Sequence, residues 1–120
     1  MDERKQILIC DDEEGIRESL NLILENKYSL SFAKNGDEAL EKAKNKNYDV
    51  ILLDIKMPSK NGLETLEELR KLSPPPKVII ITGYQSVETA SKAIKLGAMD
   101  YITKPFTVNE VHEKVEKLVA

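Results

Sequence analysis

The chain has 120 residues, 41% of them hydrophobic and 32% charged, and this balance is typical of one folded domain, here spanning 1–120. No apolar run is long enough for a signal peptide or a membrane span, so we expect a cytoplasmic protein with no membrane contact. The net charge of -3 comes without a basic cluster, which argues against direct binding to nucleic acid, and the single cysteine, Cys10, excludes an internal disulfide.

Five short segments have the residue pattern of β-strands. Four are largely apolar runs, which indicate strands buried on both faces of a sheet. One alternates apolar and polar residues, as a half-exposed edge strand does. In chain order they are Ile7–Cys10, the alternating segment Tyr28–Phe32, Val50–Leu53, Val78–Ile81 and the weaker Tyr101–Ile102.

Between and after the strands, apolar residues recur at the spacing of amphipathic helices. Turn and cap residues mark several boundaries: Asn35-Gly36 before the second helix, three prolines at 74–76 after the third, and Thr107 with Glu110 as a capping box on the fifth. The stripes are Ile16, Leu20, Ile23 and Leu24; Ala39, Leu40 and Ala43; Leu63, Leu66 and Leu69; Val87, Ala90 and Ile94; and Val108, Val111, Val115 and Leu118.

Strict alternation of strand and helix with short loops favours parallel strands joined by right-handed crossovers. The sequence therefore predicts an α/β fold, a flavodoxin-like doubly wound (βα)5 three-layer sandwich. With the alternating strand at the edge, the sheet order is 2-1-3-4-5. Ligands then bind at the carboxyl ends of the first and third strands.

Polar residues of types that bind metals or take part in reactions follow four of the predicted strands. Asp11 and Asp12 follow the first, Asp54 the third, Thr82 the fourth and Lys104 the fifth. Two carboxylates about 4 Å apart repel by roughly 4 kcal/mol at an effective dielectric near 20, so a cation must offset them. Oxygen ligands in small number suit Mg²⁺ or Mn²⁺ together with a phosphoryl group. Taken singly, each aspartate also fits a helix cap or a turn.

In these residues and their order, the chain resembles the response-regulator receiver domains of two-component signalling over essentially its whole length. The resemblance is carried by Asp11-Asp12, by Leu53-Asp54-Ile55-Lys56-Met57-Pro58 with Gly62 downstream, by Thr82-Gly83, and by Tyr101-Ile102-Thr103-Lys104-Pro105-Phe106. The segment 82–90 resembles receivers of nitrogen-regulation-type activators and single-domain phosphorelay receivers.

The resemblance implies that Asp54 accepts a phosphoryl group from a sensor histidine kinase, a phosphotransferase or a small donor. Asp12, Asp54 and the Lys56 backbone carbonyl would bind Mg²⁺ directly, and Asp11 would act largely through water. Lys104 would neutralise the transferring group. Such a protein phosphorylates itself and slowly loses the phosphoryl group, and it is not a conventional enzyme.

The resemblance also implies a switch. The Thr82 hydroxyl would bond the phosphoryl group, and Tyr101 would follow inward; a buried core position is the alternative for Tyr101. Lys104-Pro105 would be a cis peptide. Three further residues would form the phosphate environment: Gly83, Pro105 and Met57.

Lys56 and Tyr84 occupy positions that tune hydrolysis in receivers, and their bulk predicts a long-lived phosphoryl group; the alternative is that both point into solvent. Ala90, Ala93 and Tyr101 would lie on the output face, where an effector or a second receiver binds, including a phosphorylation-dependent homodimer. A kinase would dock on residues near the site, of which Ile16 and Leu20 could instead be core. This docking set is Gly15, Ile16, Leu20, Pro105 and Phe106.

Two other functions fit the same fold, because fold alone does not determine function. A flavodoxin-type module for small ligands needs phosphate donors after the first strand, but Asp11-Asp12-Glu13-Glu14 repels an anion. A phosphatase with an aspartyl nucleophile ordinarily has a second acid two residues on, where this chain has Lys56. Whether the chain is a standalone regulator or one part of a longer protein stays open.

Overall fold

The structure is a computed structural model that describes residues 4–56, 62–83 and 87–120. Within these residues strands and helices alternate along the chain, as the sequence predicts. They are β1 (Gln6–Cys10), α1 (Glu14–Leu24), β2 (Ser29–Ala33), α2 (Gly36–Asn45), β3 (Val50–Asp54), α3 (Gly62–Arg70), β4 (Lys77–Thr82), α4 (Val87–Lys95), β5 (Asp100–Thr103) and α5 (Val108–Val119).

All neighbouring strands pair in parallel, in the order β2-β1-β3-β4-β5. The predicted α/β sandwich and its strand order are confirmed. The alternating strand lies at one edge, and β3, the central strand, is buried along its whole length. The alternating strand, β2, starts one residue later than predicted, and Tyr28 is a buried residue just before it.

The sheet separates two apolar cores because successive strand residues point to opposite faces. One core packs β-strand residues such as Leu8 and Leu53 against α2, α3 and α4. The other packs residues such as Ile9 and Leu52 against α1 and α5. Helices thus cover both faces, and the strand ends remain the place where polar side chains can gather.

Side-chain caps fix two of the helix starts. The side chain of Asn35 accepts a hydrogen bond from the Glu38 amide at the start of α2. Thr107 Oγ1 accepts one from the Glu110 amide at 3.1 Å, as the capping-box pattern predicts for α5. Both caps stabilise helices that begin beside the carboxyl ends of strands. In the described ranges no helix has the length and apolarity needed to cross a membrane.

Candidate functional site

The register of the sheet brings the acidic residues together. Cys10 pairs with Leu53 across β1 and β3, so the residues that follow them, Asp11 and Asp54, emerge side by side. The backbone of Asp11 is held from two directions, because its amide donates to the Ala33 carbonyl and its carbonyl accepts from Arg17 Nη1 at 2.8 Å. Arg17 is a part of the site that no sequence pattern signals.

Three carboxylates form a cluster at this edge of the sheet. Oxygens of Asp11, Asp12 and Asp54 lie within 4.8 Å of one another. Asp11 is completely buried and Asp54 is 3% exposed, whereas Asp12 is exposed. The cluster therefore faces solvent on one side only.

Lys104 lies against this cluster from the loop after β5. Its Nζ is 3.0 Å from Asp11 Oδ2, 3.6 Å from Asp54 Oδ2 and 3.9 Å from Glu13 Oε2. The Lys104 amide donates to the Thr82 carbonyl at 2.8 Å, which ties its loop to the end of β4. The peptide bond between Lys104 and Pro105 is cis, as predicted.

The electrostatics of the cluster shift the pKa of two groups, Asp54 and Lys104. Burial, then the charge of Asp11, raise the pKa of Asp54 to about 6, although a hydrogen bond from the Lys56 amide and the charge of Lys104 act in the opposite direction. Burial lowers the pKa of Lys104, but contact with Asp11 and the charge of Asp54 outweigh it, and the pKa is raised. One cation thus compensates the buried carboxylates incompletely.

A hard divalent cation fits these residues. The Oδ2 of Asp11 is buried and contacts the Lys104 ammonium at 3.0 Å, and no other donor among the described residues bonds to it. Oxygen donors from three carboxylates suit Mg²⁺, which is commonly held by one or two carboxylates, waters and phosphate oxygens. The donor set therefore matches the metal that the sequence predicts.

A cavity of about 270 Å³ opens directly above Asp54. Its volume is large enough for a phosphoryl group and several waters. It is lined by Glu13, Asp54, Lys56, Gly83 and Lys104. A larger groove of about 540 Å³ lies between α1 and β2, and none of the three clustered carboxylates lines it.

Backbone contacts fix the orientation of Asp54. The Lys56 amide donates to Asp54 Oδ1 at 3.1 Å, and the Ile55 amide donates to the Ile81 carbonyl. The Gly62 amide donates to the Ile55 carbonyl at 2.7 Å, so α3 begins against the end of β3. A Cβ at Gly62 would lie 2.4 Å from Ile55 Cα, so this close approach requires glycine.

The predicted switch residues lie at the ends and edge of the sheet. Thr82 ends β4 and is 2% exposed, next to Gly83 on the cavity wall. Tyr101 is 40% exposed, so the alternative that it is a core residue is wrong. The Lys114 ammonium lies 5.1 Å from the centre of the Tyr101 ring and donates to the Tyr101 carbonyl.

The docking and output predictions need two corrections. Leu20 is completely buried in the core beneath α1, and Ala93 is 1% exposed in the opposite core. Neither offers surface to a partner, because their helical positions face the sheet. The remaining docking residues are accessible: Gly15 and Pro105 are exposed, and Ile16 and Phe106 are partly buried.

Several residues of the sequence predictions fall outside this description, among them Pro58 and the side chain of Val87. Met57 and Tyr84 lie outside the described residues, as does the side chain of Ala90. Glu13, by contrast, lines the cavity, although the sequence names it only as part of the acidic run that repels an anion. Its role depends on the loop after β1, which periodicity does not describe.

Comparison with known proteins matches this chain to one family. The family model of the response regulator receiver domain matches residues 7–116. The transcriptional regulatory protein ZraR of Escherichia coli (strain K12) is 36% identical over 115 residues, which are 95% of this chain and 26% of ZraR. YkoG of Bacillus subtilis (strain 168), an uncharacterized transcriptional regulatory protein, is 39% identical over 94% of this chain and 50% of its own length.

Solved structures give the same result. A CheY-like receiver domain protein from Methanospirillum hungatei JF-1 has a TM-score of 0.90 at 40% identity, covering 97% of this chain and 94% of that one. NtrX from Brucella abortus has a TM-score of 0.90 at 32% identity, covering 97% of this chain but 27% of NtrX. This chain thus spans half or less of the length of the transcriptional regulators ZraR and YkoG. The chain belongs to the response regulator receiver domains.

Proposed function

We propose that this receiver accepts a phosphoryl group on Asp54 from a phosphohistidine of a sensor kinase or phosphotransferase, or from a small phosphodonor. One observation carries the proposal: the Asp54 carboxylate lies buried at the base of an open cavity, with the Lys104 ammonium 3.6 Å away. The proposed nucleophile, the cation and the space for the transferred group therefore lie next to one another.

In the transfer, an Asp54 oxygen forms a bond to phosphorus while the bond from phosphorus to the imidazole nitrogen breaks, and the imidazole keeps the electron pair. The Lys56 amide holds the other end of the carboxylate through Oδ1 and limits its rotation. Lys104 stabilises charge on the phosphoryl oxygens, and its tether to the Thr82 carbonyl keeps it in place without reorganisation.

Asp11, Asp12, Asp54 and the backbone carbonyl of Lys56 would hold Mg²⁺ or Mn²⁺. When bound, the metal supplies positive charge that offsets the carboxylates and the phosphoryl oxygens. Asp12 is the exposed member of the cluster, and it is the natural point of entry for a hydrated ion.

The phosphoryl group then acts as a switch. Thr82 donates its hydroxyl to a phosphoryl oxygen, and Tyr101 leaves its exposed position to follow the loop after β4. The exposure of Tyr101 and its contact with Lys114 support an outward starting position in the unphosphorylated protein. The surface around β5 thereby changes for an effector domain or a second receiver.

The accessible surfaces support two kinds of partner. A kinase or phosphotransferase would dock beside the cavity on Gly15, Ile16, Pro105 and Phe106. A downstream effector, in the same chain or separate, would read the α4 and β5 surface, as would a partner copy in a phosphorylation-dependent homodimer. ZraR and YkoG are transcriptional regulatory proteins, which supports an output in transcription. The proposed location of the protein is the cytoplasm.

The phosphorylated state is expected to last for minutes or longer, because Lys56 lies on the cavity wall and Tyr84 directly follows Gly83, another residue of that wall, in the sequence. Replacing Lys56 by Ala should shorten the half-life of the phosphoryl group several-fold. Phosphate release after removal of the donor measures this lifetime. A half-life of seconds in the wild type contradicts the proposal, and so does an unchanged half-life in the Lys56→Ala variant.

Intact mass spectrometry tests the function itself. Incubation with Mg²⁺ and phosphoramidate should add one phosphate to the wild type and none to Asp54→Asn. Omitting Mg²⁺ should abolish the adduct, and Lys104→Ala should slow its formation at least tenfold. Flavin-like absorbance or turnover of phosphate esters by the wild type would instead favour the small-ligand or phosphatase alternatives.

A further inference from the structure

Glu13 places a carboxylate on the wall of the cavity above Asp54, in addition to the three carboxylates of the cluster. Its Oε2 lies 3.9 Å from Lys104 Nζ, and the side chain is 62% exposed at the cavity wall. The Glu13 amide donates to Asp11 Oδ1 at 2.9 Å, which fixes the backbone from which this side chain projects. Glu13 is therefore held at the cavity by its neighbours, and it lies outside the set of three proposed metal-binding carboxylates.

The Glu13 carboxylate affects an incoming phosphoryl group in two ways. It competes for Lys104, the cation that would otherwise face the phosphoryl oxygens. It also places negative charge on the wall of a cavity that an anionic donor must enter. Like charges at such distances repel, and the repulsion is greater in a partly enclosed site than in open water.

We propose that Glu13 is a donor-specificity residue that disfavours small, highly charged phosphodonors. This inference rests on the proposed phosphoryl transfer to Asp54. A free dianion must overcome the repulsion alone. A phosphohistidine carried by a docked protein has the binding energy of its interface to offset that repulsion. The chemistry at Asp54 is thereby reserved for a protein donor.

The test compares Glu13→Gln with the wild type at saturating Mg²⁺, using acetyl phosphate, a dianion, and phosphoramidate, a monoanion. We expect Glu13→Gln to form the adduct about three- to fivefold faster with acetyl phosphate, and the gain to be smaller with phosphoramidate. High salt should reduce the gain, because the side chain is largely exposed. A loss of packing would not produce this dependence on donor charge and salt.

Glu14→Gln is the matched control. Glu14 carries the same charge one residue later, but it lines the groove between α1 and β2 and not the cavity above Asp54. This variant should keep wild-type rates with both donors. Equal acceleration in the two variants would mean a general effect of net charge and would overturn the proposal. Unchanged or slower transfer in Glu13→Gln would also overturn it.

A second measurement separates this inference from the proposed function. Titration with beryllofluoride at saturating Mg²⁺, followed through amide NMR signals, should reach its midpoint at about threefold lower concentration in Glu13→Gln. If the wild type forms no adduct, the proposed function fails while this titration still decides the role of Glu13. Equal midpoints, or no binding by either protein, overturn the inference.

Discussion

Asp54 has an environment that is unfavourable for a carboxylate until a cation or a modification changes it. Burial and Asp11 raise its pKa to about 6, and Lys104 at 3.6 Å compensates only in part. A buried charge without full compensation destabilises the folded state, so the ionised Asp54 carboxylate lowers the free energy of unfolding. Functional sites commonly hold groups with shifted pKa values for this reason.

Replacing Asp54 by Asn should therefore stabilise the metal-free protein at neutral pH. The folded pKa is about 6 against 3.8 for the free group, so the folded state binds more protons between these values. The free energy of unfolding consequently falls as pH rises through this window. We expect Asp54→Asn to gain on the order of 1 to 3 kcal/mol at about pH 7.5 and almost nothing near pH 4.

Urea unfolding in the presence of a chelator measures this difference. Asp37→Asn is the control, since Asp37 lies exposed on the first turn of α2 and its removal relieves no burial. Saturating Mg²⁺ should raise the stability of the wild type more than that of Asp54→Asn. A wild type that is more stable than Asp54→Asn at neutral pH without metal would contradict this view of the site.

The start of α3 shows how one element positions the acceptor. A Cβ at Gly62 would lie 2.4 Å from Ile55 Cα and 2.6 Å from the Asp54 carbonyl oxygen, and both are backbone atoms that cannot rotate away. Gly62→Ala must therefore displace α3 or the end of β3. We expect a loss of about 1 to 3 kcal/mol in the free energy of unfolding, together with slower phosphorylation.

Gly15→Ala provides the comparison within the same fold. Gly15 lies in α1, and a Cβ there meets nothing within 4 Å, so the substitution should leave stability unchanged or raise it by up to about 1 kcal/mol. Thermal or urea unfolding of both variants measures the two effects. Equal stability of Gly62→Ala and the wild type would show that α3 does not constrain Asp54.

At the level of elements, periodicity predicted the buried side of most helices, but Ile94 and Val108, both on predicted stripes, are 46% and 53% exposed. Periodicity also did not separate core from contact surface. Leu20 and Ala93 face the sheet and are buried, although the sequence also suited them to partner surfaces, and Ala93 lies beside the predicted stripe of α4 and not on it. Tyr101 is the opposite case, because it is exposed. The short edge strand that contains it offers no pattern that separates a core position from a surface position. These outcomes depend on how helices pack, which a single stripe does not encode.

For the whole molecule, the alternation of strands and helices was sufficient to predict the sheet order and the edge at which polar residues gather. Asp11, Asp12, Asp54 and Lys104 were identified because each follows a strand, and parallel strands end together. The contributions of Glu13, Arg17 and the close approach at Gly62 were not, since they depend on how α1 and α3 begin against the ends of the strands. Strand ends can be read from a pattern, but the placement of the helix that follows cannot.

The most direct test of the central claim locates the phosphoryl group on the chain. After reaction with phosphoramidate and Mg²⁺, borohydride reduces an aspartyl phosphate to homoserine, and peptide mass spectrometry then identifies the changed residue. The account predicts homoserine at position 54 and at no other aspartate. Reduction at Asp11 or Asp12, or a stable phosphate on a hydroxyl or histidine, would contradict it.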